Sequence, residues 1–266
     1  MNFFVVKFQG GYETMDVGPQ ILFIDTENAP NLAAVWGIHE QRLRYEDIFQ
    51  HWFMLSVQWS WNDSKKINSE SLLDYRGALK RRDDKPLIKK IHSLIEEADI
   101  VVGHHVNGHD MKKIQARIIK HGLKPVKMPL IVDTLTWARK FGFTSRKLGD
   151  LCDYLDLSKK KSHEAGIFLQ AALGDESALA KVIKYGIGDI PTLRDLYYRL
   201  RPYAPNHPNN NLFRGDGIEC CPSCGNMDFQ QRGYSLTSVG KFPRFQCKGC
   251  GKWFRGKKAV KRVNMR

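Results

Sequence analysis

QILFIDTEN, residues 20–28, is the stretch on which the fold turns. Its first five residues, QILFI, read as a buried strand with an apolar run from Ile21 to Ile24, and the stretch goes on to Asp25 and Glu27, two positions apart. Side chains alternate faces along a strand, so both carboxylates lie on one face at the end of a buried element. Two carboxylates aimed together out of a core repel one another, and divalent cations remove that cost. Working outward, VWGI at 35–38 and FMLSVQW at 53–59 read as a second and a third strand. A helix from about Pro86 to Ala98, with Leu87, Ile91, Leu94 and Ile95 on one face, leads into the strand DIVVGH. Another helix starts near Asp110 and keeps Ile114, Ile118 and Ile119 inward; LIVDTL at 130–135 is a fifth strand, and mostly helical sequence follows to Leu200. Strands alternating with helices predict an α/β domain over residues 1–200.

Composition agrees with one ordinary domain plus a small one in 266 residues: 42% hydrophobic and 26% charged residues, at a mean hydropathy of -0.42, describe a folded chain with a soluble surface. No apolar stretch reaches membrane-span length, and the start MNFFVVKFQGG lacks the features of a signal peptide, so a cytoplasmic protein with no membrane partner is expected. In that compartment the six cysteines read as metal ligands or free thiols rather than disulfides. The net charge of +14 is uneven: from Arg201 onward 13 Lys and Arg stand against 3 Asp and Glu. Such a field favours a polyanion, which makes nucleic acid the expected partner.

Residues 201–217, RPYAPNHPNNNLFRGDG, are rich in proline and asparagine and read as a linker. Residues 218–266 are too few for an independent apolar core, but two CxxC pairs, Cys221/Cys224 and Cys247/Cys250, stand 22 residues apart and can replace that core with a metal. Gly225 and Gly251 directly follow the pairs, where tight turns direct two thiolates at one ion; four sulfurs suit one structural Zn²⁺ and leave no open position for catalysis. Cys220 adjoins the first pair but lacks an i+3 cysteine, and Cys152 in LGDLCDYL reads as a helix-core residue. Residues 218–256, particularly FQCKGCGKWFRG, resemble the zinc ribbons of transposases, transcription factors and other nucleic-acid proteins. That resemblance implies a small antiparallel sheet and suggests contact with DNA. Lys241, Arg244, Lys248, Lys252, Arg255, Lys257, Lys258, Lys261 and Arg262 are the candidate phosphate contacts, while Phe242, Phe245, Trp253 and Phe254 are read as the miniature core.

Two further elements carry acids. In DIVVGHHVNGHDMKKI, Asp110 begins a helix just past a strand, where a carboxylate is an N-cap, a favourable first-turn charge or a ligand; Asn107 is placed to bond substrate or tether the turn. His104, His105 and His109 read as turn packing and surface. In AKVIKYGIGDIPTLRDLY, Tyr185 and Asp189 are four positions apart, about one helical turn, although Gly186 and Gly188 weaken the local helix preference.

The order of these elements carries the identification. Residues 19–200 resemble the ribonuclease-H-like 3′→5′ exonucleases with four acidic ligands, in the branch whose last motif carries tyrosine; the first motif matches at Asp25 and Glu27, the second at Asp110 with Asn107, the third at Tyr185 and Asp189. The histidine branch would place His where this chain has Lys184. Asp133, in LIVDTLTWARK, and the KLGDLCDYL helix also look like the family's region between its second and third motifs. Asn28, and the glycines between Tyr185 and Asp189, depart from the commoner proofreading pattern.

The resemblance implies a ribonuclease-H-like mixed sheet flanked by helices. It also implies two catalytic Mg²⁺ or Mn²⁺ ions about 4 Å apart among Asp25, Glu27, Asp110 and Asp189. Tyr185 then orients the attacking water or the phosphate, and the products are nucleoside 5′-monophosphates. DNA is favoured over RNA by the ribbon, and replication, repair or defence proteins are the expected protein partners. Two other classes stand beside this reading: a nucleic-acid-binding or assembly protein on a nuclease-like scaffold, and a structure-specific endonuclease using the same ions.

Overall fold

The computed structural model describes residues 4–8, 11–15, 18–37, 39, 42–158, 164–215 and 217–264, with only the backbone described for 4–8 and 11–15. The chain divides into two compact units, Gln20–Leu196, and Tyr197–Arg266 together with Met1–Pro19. In the second unit β1 (Phe4–Phe8) and β2 (Gly11–Met15) pair antiparallel.

The first unit holds β3 (Ile21–Asn28), β4 (Leu32–Ala33), β5 (Ile48–Gln50), β6 (Met54–Trp61) and β7 (Asn68–Ser71), followed by α1 (Ala78–Arg81) and α2 (Lys85–Glu97). After these come β8 (Ile100–Gly103), α3 (Asp110–Lys120), β9 (Leu130–Asp133), α4 (Thr134–Ala138), α5 (Leu148–Tyr154), α6 (Ile167–Ala172) and the start of α7 (Glu176–Leu200). One sheet runs β7-β6-β3-β8-β9. Its right half, β3, β8 and β9, is parallel; β6 and β7 join it antiparallel. This mixed five-stranded sheet with flanking helices is a ribonuclease-H-like α/β fold.

Alternation along β3 sorts its side chains into two sets. Leu22 and Ile24 enter a buried cluster with Leu55, Val57 and Val101 of the sheet and with Ile88, Ile91, Ile95 and Ile114 from α2 and α3. In α2 the buried residues Leu87, Ile88, Ile91, Leu94 and Ile95 follow a helical stripe, and each contributes roughly 1.5–3 kcal/mol by leaving water. The other set, Ile21, Phe23, Asp25 and Glu27, faces the opposite side, where the Arg194 guanidinium of α7 lies 5.3 Å over the Phe23 ring.

The structure departs from the pattern the sequence suggests at three places. VWGI at 35–38 is not a sheet strand: Val35 and Trp36 are 57% and 101% exposed, and Ile38 lies outside the described residues. Among the described residues, 29–53 form the short β4–β5 pair and a 3₁₀ turn at Tyr45–Asp47, none of it part of the five-stranded sheet. The strand that completes the sheet in place of VWGI is β7, NSES, a polar edge strand with no apolar signature, fixed by its ladder to β6 and by Ser71, whose hydroxyl accepts the Leu73 N–H at 3.1 Å. Finally, Ile119 is 78% exposed; the stripe of α3 continues through Ile118, and one residue further rotates about 100° off it.

The C-terminal part contains β10 (Phe229–Leu236), β11 (Gly240–Cys247), β12 (Trp253–Arg255) and β13 (Lys261–Arg262), all antiparallel, with β11 paired to the other three. Phe229, Phe245 and Phe254 touch one another at ring separations of 5.3–5.6 Å on one face. Within residues 201–217 lie two 3₁₀ turns, Arg201–Tyr203 and Asn210–Phe213. The Asn211 side chain brackets Cys220, accepting its N–H at 2.7 Å and donating to its carbonyl at 2.9 Å. Among the described residues no helix is long and apolar enough to cross a membrane.

Candidate functional site

β3 and β8 pair only through Ile21↔Ile100, Leu22↔Val101 and Phe23↔Val102, so β3 runs on past its parallel neighbour before Asp25 is reached. On its other side Asp25 pairs with Gln58 and Glu27 with Ser56 of β6. The carboxyl ends of parallel strands, where neighbours diverge, are where α/β sheets place ligands. α7 brings Asp189 to this end, and one carboxylate oxygen each from Asp25, Glu27 and Asp189 lie within 4.8 Å of one another. At such spacing two full charges repel by roughly 3–4 kcal/mol per pair at a surface-like dielectric. Hard oxygens in this arrangement could hold a divalent cation, which would turn repulsion into coordination.

Asp110 approaches from the other face of β3. Thr26, pointing away from Asp25 and Glu27, donates its hydroxyl to Asp110 Oδ1 at 2.6 Å, and Asp110 is 5% exposed at the start of α3. Desolvation pushes its carboxyl above the usual range, a shift the Thr26 hydroxyl partly opposes. Asp110 is therefore tied to β3 through Thr26 and is not a member of the close group of three. Tyr185 is half-buried one turn before Asp189, its ring edge-on to Phe168 at 6.5 Å. Asn107 is exposed.

Asp133 has a part that its place in the sequence did not announce. Its Oδ1 accepts backbone N–H groups from His105 (3.0 Å), Leu135 (2.9 Å) and Thr136 (3.3 Å), and its Oδ2 accepts that of Asn107 (3.3 Å). One 8% exposed carboxylate therefore caps α4 and ties down the loop from β8 that delivers Asn107 and Asp110. His104 braces the same loop, its ring bonded to Thr134 Oγ1 and the Arg146 carbonyl, each at 2.9 Å.

The glycines of α7 also acquire reasons. A Cβ on Gly186 would stand 2.4 Å from Gln58 Oε1, so the missing side chain lets α7 come down on β6 next to Asp25; at Gly188 a Cβ would meet nothing within 4 Å. Gly186→Ala is expected to lower the melting temperature and cleavage together although alanine is the better helix former. Gly188→Ala is expected to gain up to about 1 kcal/mol of stability. Parallel thermal melts of the two variants check this, and equal stabilisation by both would contradict the close-approach reading.

The second group that could hold a metal ion is Cys221, Cys224, Cys247 and Cys250, with one sulfur each within 4.8 Å of all the others. Cys221 rather than Cys220 is the member. Sγ separations of 3.8 Å (Cys221–Cys250) and 3.6 Å (Cys224–Cys247) match the edge of about 3.8 Å that a zinc–sulfur tetrahedron requires. Two equivalent turns build the site: Gly225 N–H bonds the Cys221 carbonyl at 2.9 Å and Gly251 N–H that of Cys247 at 3.0 Å, with both glycines at positive φ, 75° and 77°. Cys221 is pushed down to about 5 by hydrogen bonding from the Cys224 thiol and by the Cys224 and Ser223 N–H groups, while Cys224 is pushed up by sharing that proton. A cation bound there would replace the shared protons and be ligated by the four thiolates.

The basic side chains separate by role. Lys252 Nζ donates to the carbonyls of Pro202 and Ala204, and burial lowers its pKa. Lys248 pairs with Asp228 at 3.0 Å. Lys241 lies 4.2 Å over Tyr234, Arg244 4.6 Å over Trp253 and Arg255 4.7 Å over Phe242, and Lys257 and Lys258 are exposed. Of the four aromatics expected in the ribbon core, Phe245 and Phe254 pack there with Phe229, whereas Trp253 and Phe242 carry arginines on the opposite face.

Sheet order, the acidic group at the end of β3 and the four-cysteine centre define a metal-binding exonuclease-type domain joined to a zinc-ribbon-like module. A profile of the Exonuclease family (RNase_T) matches residues 65–166, a span that contains Asp110 and Asp133 and stops short of Asp25, Glu27, Tyr185 and Asp189. No curated protein matches the chain. Among solved structures, the family B DNA polymerase from the hyperthermophilic archaeon Pyrobaculum calidifontis is similar, with a TM-score of 0.53 and 16% identity over 70% of this chain and 25% of that one. The chain thus corresponds to about a quarter of that polymerase, and the likeness is one of fold.

Proposed function

We propose that the chain is a metal-dependent 3′→5′ exonuclease that hydrolyses phosphodiester bonds and releases nucleoside 5′-monophosphates. The observation that carries this reading is the meeting of Asp25, Glu27 and Asp189, from a strand and a helix far apart in sequence, within 4.8 Å. A scaffold protein would gain nothing from that repulsion. Asp25, Glu27 and Asp189 would hold a Mg²⁺ or Mn²⁺ ion, and Asp110, desolvated and held by Thr26, is proposed as the fourth ligand, serving a second ion. Bound there, such ions activate water and neutralise charge on a leaving 3′ oxygen. Tyr185 offers a phenol hydroxyl to orient the water or the scissile phosphate, and Asn107, exposed on the loop anchored by Asp133, offers an amide to the substrate strand. The cysteine centre is proposed to hold one structural Zn²⁺. The ribbon's resemblance to DNA-associated modules supports DNA as the preferred substrate.

Tyr185→Phe tests the assigned roles: the carboxylates survive, so cleavage should fall by roughly 10- to 100-fold with metal affinity unchanged. Steady-state rates across a Mn²⁺ titration check it. A shift in the metal midpoint as large as the loss in rate would remove Tyr185 from the positioning role.

A further inference from the structure

The sheet of the cysteine module has two unlike faces. Phe229, Phe245 and Phe254 fill one. On the other, cross-strand register sets Arg244 opposite Arg255 and Gln246 opposite Trp253, and alternation adds Phe242. Arg244 stacks on Trp253, Arg255 stacks on Phe242, and Arg232 reaches across from β10 to donate to Gln246 Oε1 at 2.8 Å. All three arginines are exposed, Trp253 is 45% exposed, and β10, β11 and β12 contain no aspartate or glutamate. A small module could shield its rings with apolar neighbours. This one interleaves them with planar cations that are already desolvated on one side.

We infer that this outer face is a binding platform for single-stranded nucleic acid, on which Trp253 and Phe242 stack bases while Arg232, Arg244 and Arg255 contact the backbone phosphates. Charge complementarity selects a polyanion, and accessible rings select a single strand, because the faces of bases are hidden in a duplex. The inference rests on the proposed function only in taking nucleic acid as the substrate. It adds a second contact surface, on the other compact unit, and a preference for unpaired bases.

The test is fluorescence anisotropy with full-length Asp25→Asn protein, in buffer free of Mg²⁺, Mn²⁺ and chelator so that zinc is retained. The probes are a labelled oligothymidylate, an abasic strand of equal length and charge, and a duplex. Trp253→Ala is expected to weaken oligothymidylate binding tenfold or more with little change in salt slope, and Trp253→Tyr to restore most of it. Arg244→Ala with Arg255→Ala should weaken binding and reduce the salt slope by about 1.5. Zinc content and melting temperature confirm that each variant is folded, and a variant that loses zinc is replaced by Trp253→Leu. Equal affinity for the abasic strand, binding by folded Trp253→Ala within twofold of the parent, or loss of affinity only on replacing Lys257 and Lys258 would each overturn the platform. Because cleavage plays no part in the measurement, its result stands apart from the fate of the nuclease reading.

Discussion

Asp25→Asn is expected to lower cleavage by at least about 10³-fold, the equivalent of roughly 4 kcal/mol of transition-state stabilisation, while the protein stays folded. The substitution keeps the shape of the side chain and removes one of three carboxylate charges gathered within 4.8 Å. Without divalent cation, the variant should melt at a higher temperature than the parent, because repulsion in the triad is relieved. The parent alone should gain substantially when Mn²⁺ is added, since a ligand that binds only the native state stabilises it. This pair of opposite shifts separates a metal ligand from a residue that merely supports the fold, whose replacement would destabilise the protein with and without metal. Calorimetric melts with and without Mn²⁺, run beside an activity assay, read both effects.

Cys247→Ser should have the largest structural effect. Cys247 Sγ lies 3.6 Å from Cys224 Sγ and accepts the Cys250 N–H at 3.5 Å, so its loss removes a ligand and part of the second turn at once. Apart from the Phe229–Phe245–Phe254 cluster, few apolar side chains in the module are withdrawn from water, and binding of a structural zinc typically contributes about 10–16 kcal/mol to such folds. Zinc should fall from one per chain to near none, and residues 218–264 should become sensitive to protease. The unit Gln20–Leu196, with its own core, should keep its melting transition. Elemental analysis and limited proteolysis check the outcome; a parent protein that carries no zinc under reducing conditions would remove the structural-zinc assignment.

What the sequence made legible was whatever local spacing encodes. The DxE at the end of an apolar run, the stripe of α2 and the CxxC pairs each follow from a period or an interval, and each stands where the spacing put it. VWGI misled because a short apolar run does not say whether its residues are buried, and Val35 and Trp36 stand exposed outside the five-stranded sheet. β7 was invisible for the converse reason: NSES is held by backbone pairing at an edge, which leaves no hydrophobic trace. Gly186 read as a flaw in a helix because the Gln58 side chain that requires it comes from a distant strand. Asp133 gave no sign of its role, since its partners are backbone N–H groups that any sequence supplies. Asp110 was recognised by resemblance, yet its approach through Thr26 from the far face of β3 is a consequence of pleat and twist that order along the chain does not convey.

Exonuclease activity is tested most sharply by the cleavage pattern of a 5′-labelled DNA strand, single-stranded and annealed, with matching RNA, incubated with the purified protein in Mg²⁺, in Mn²⁺ and with neither. The expected result is a progressive ladder shortening from the 3′ end that requires the divalent ion and disappears in Asp25→Asn, with DNA degraded faster than RNA. Discrete internal cuts, tight binding with no cleavage in either metal, or a ladder that persists at parental rate in pure Asp25→Asn protein would contradict it.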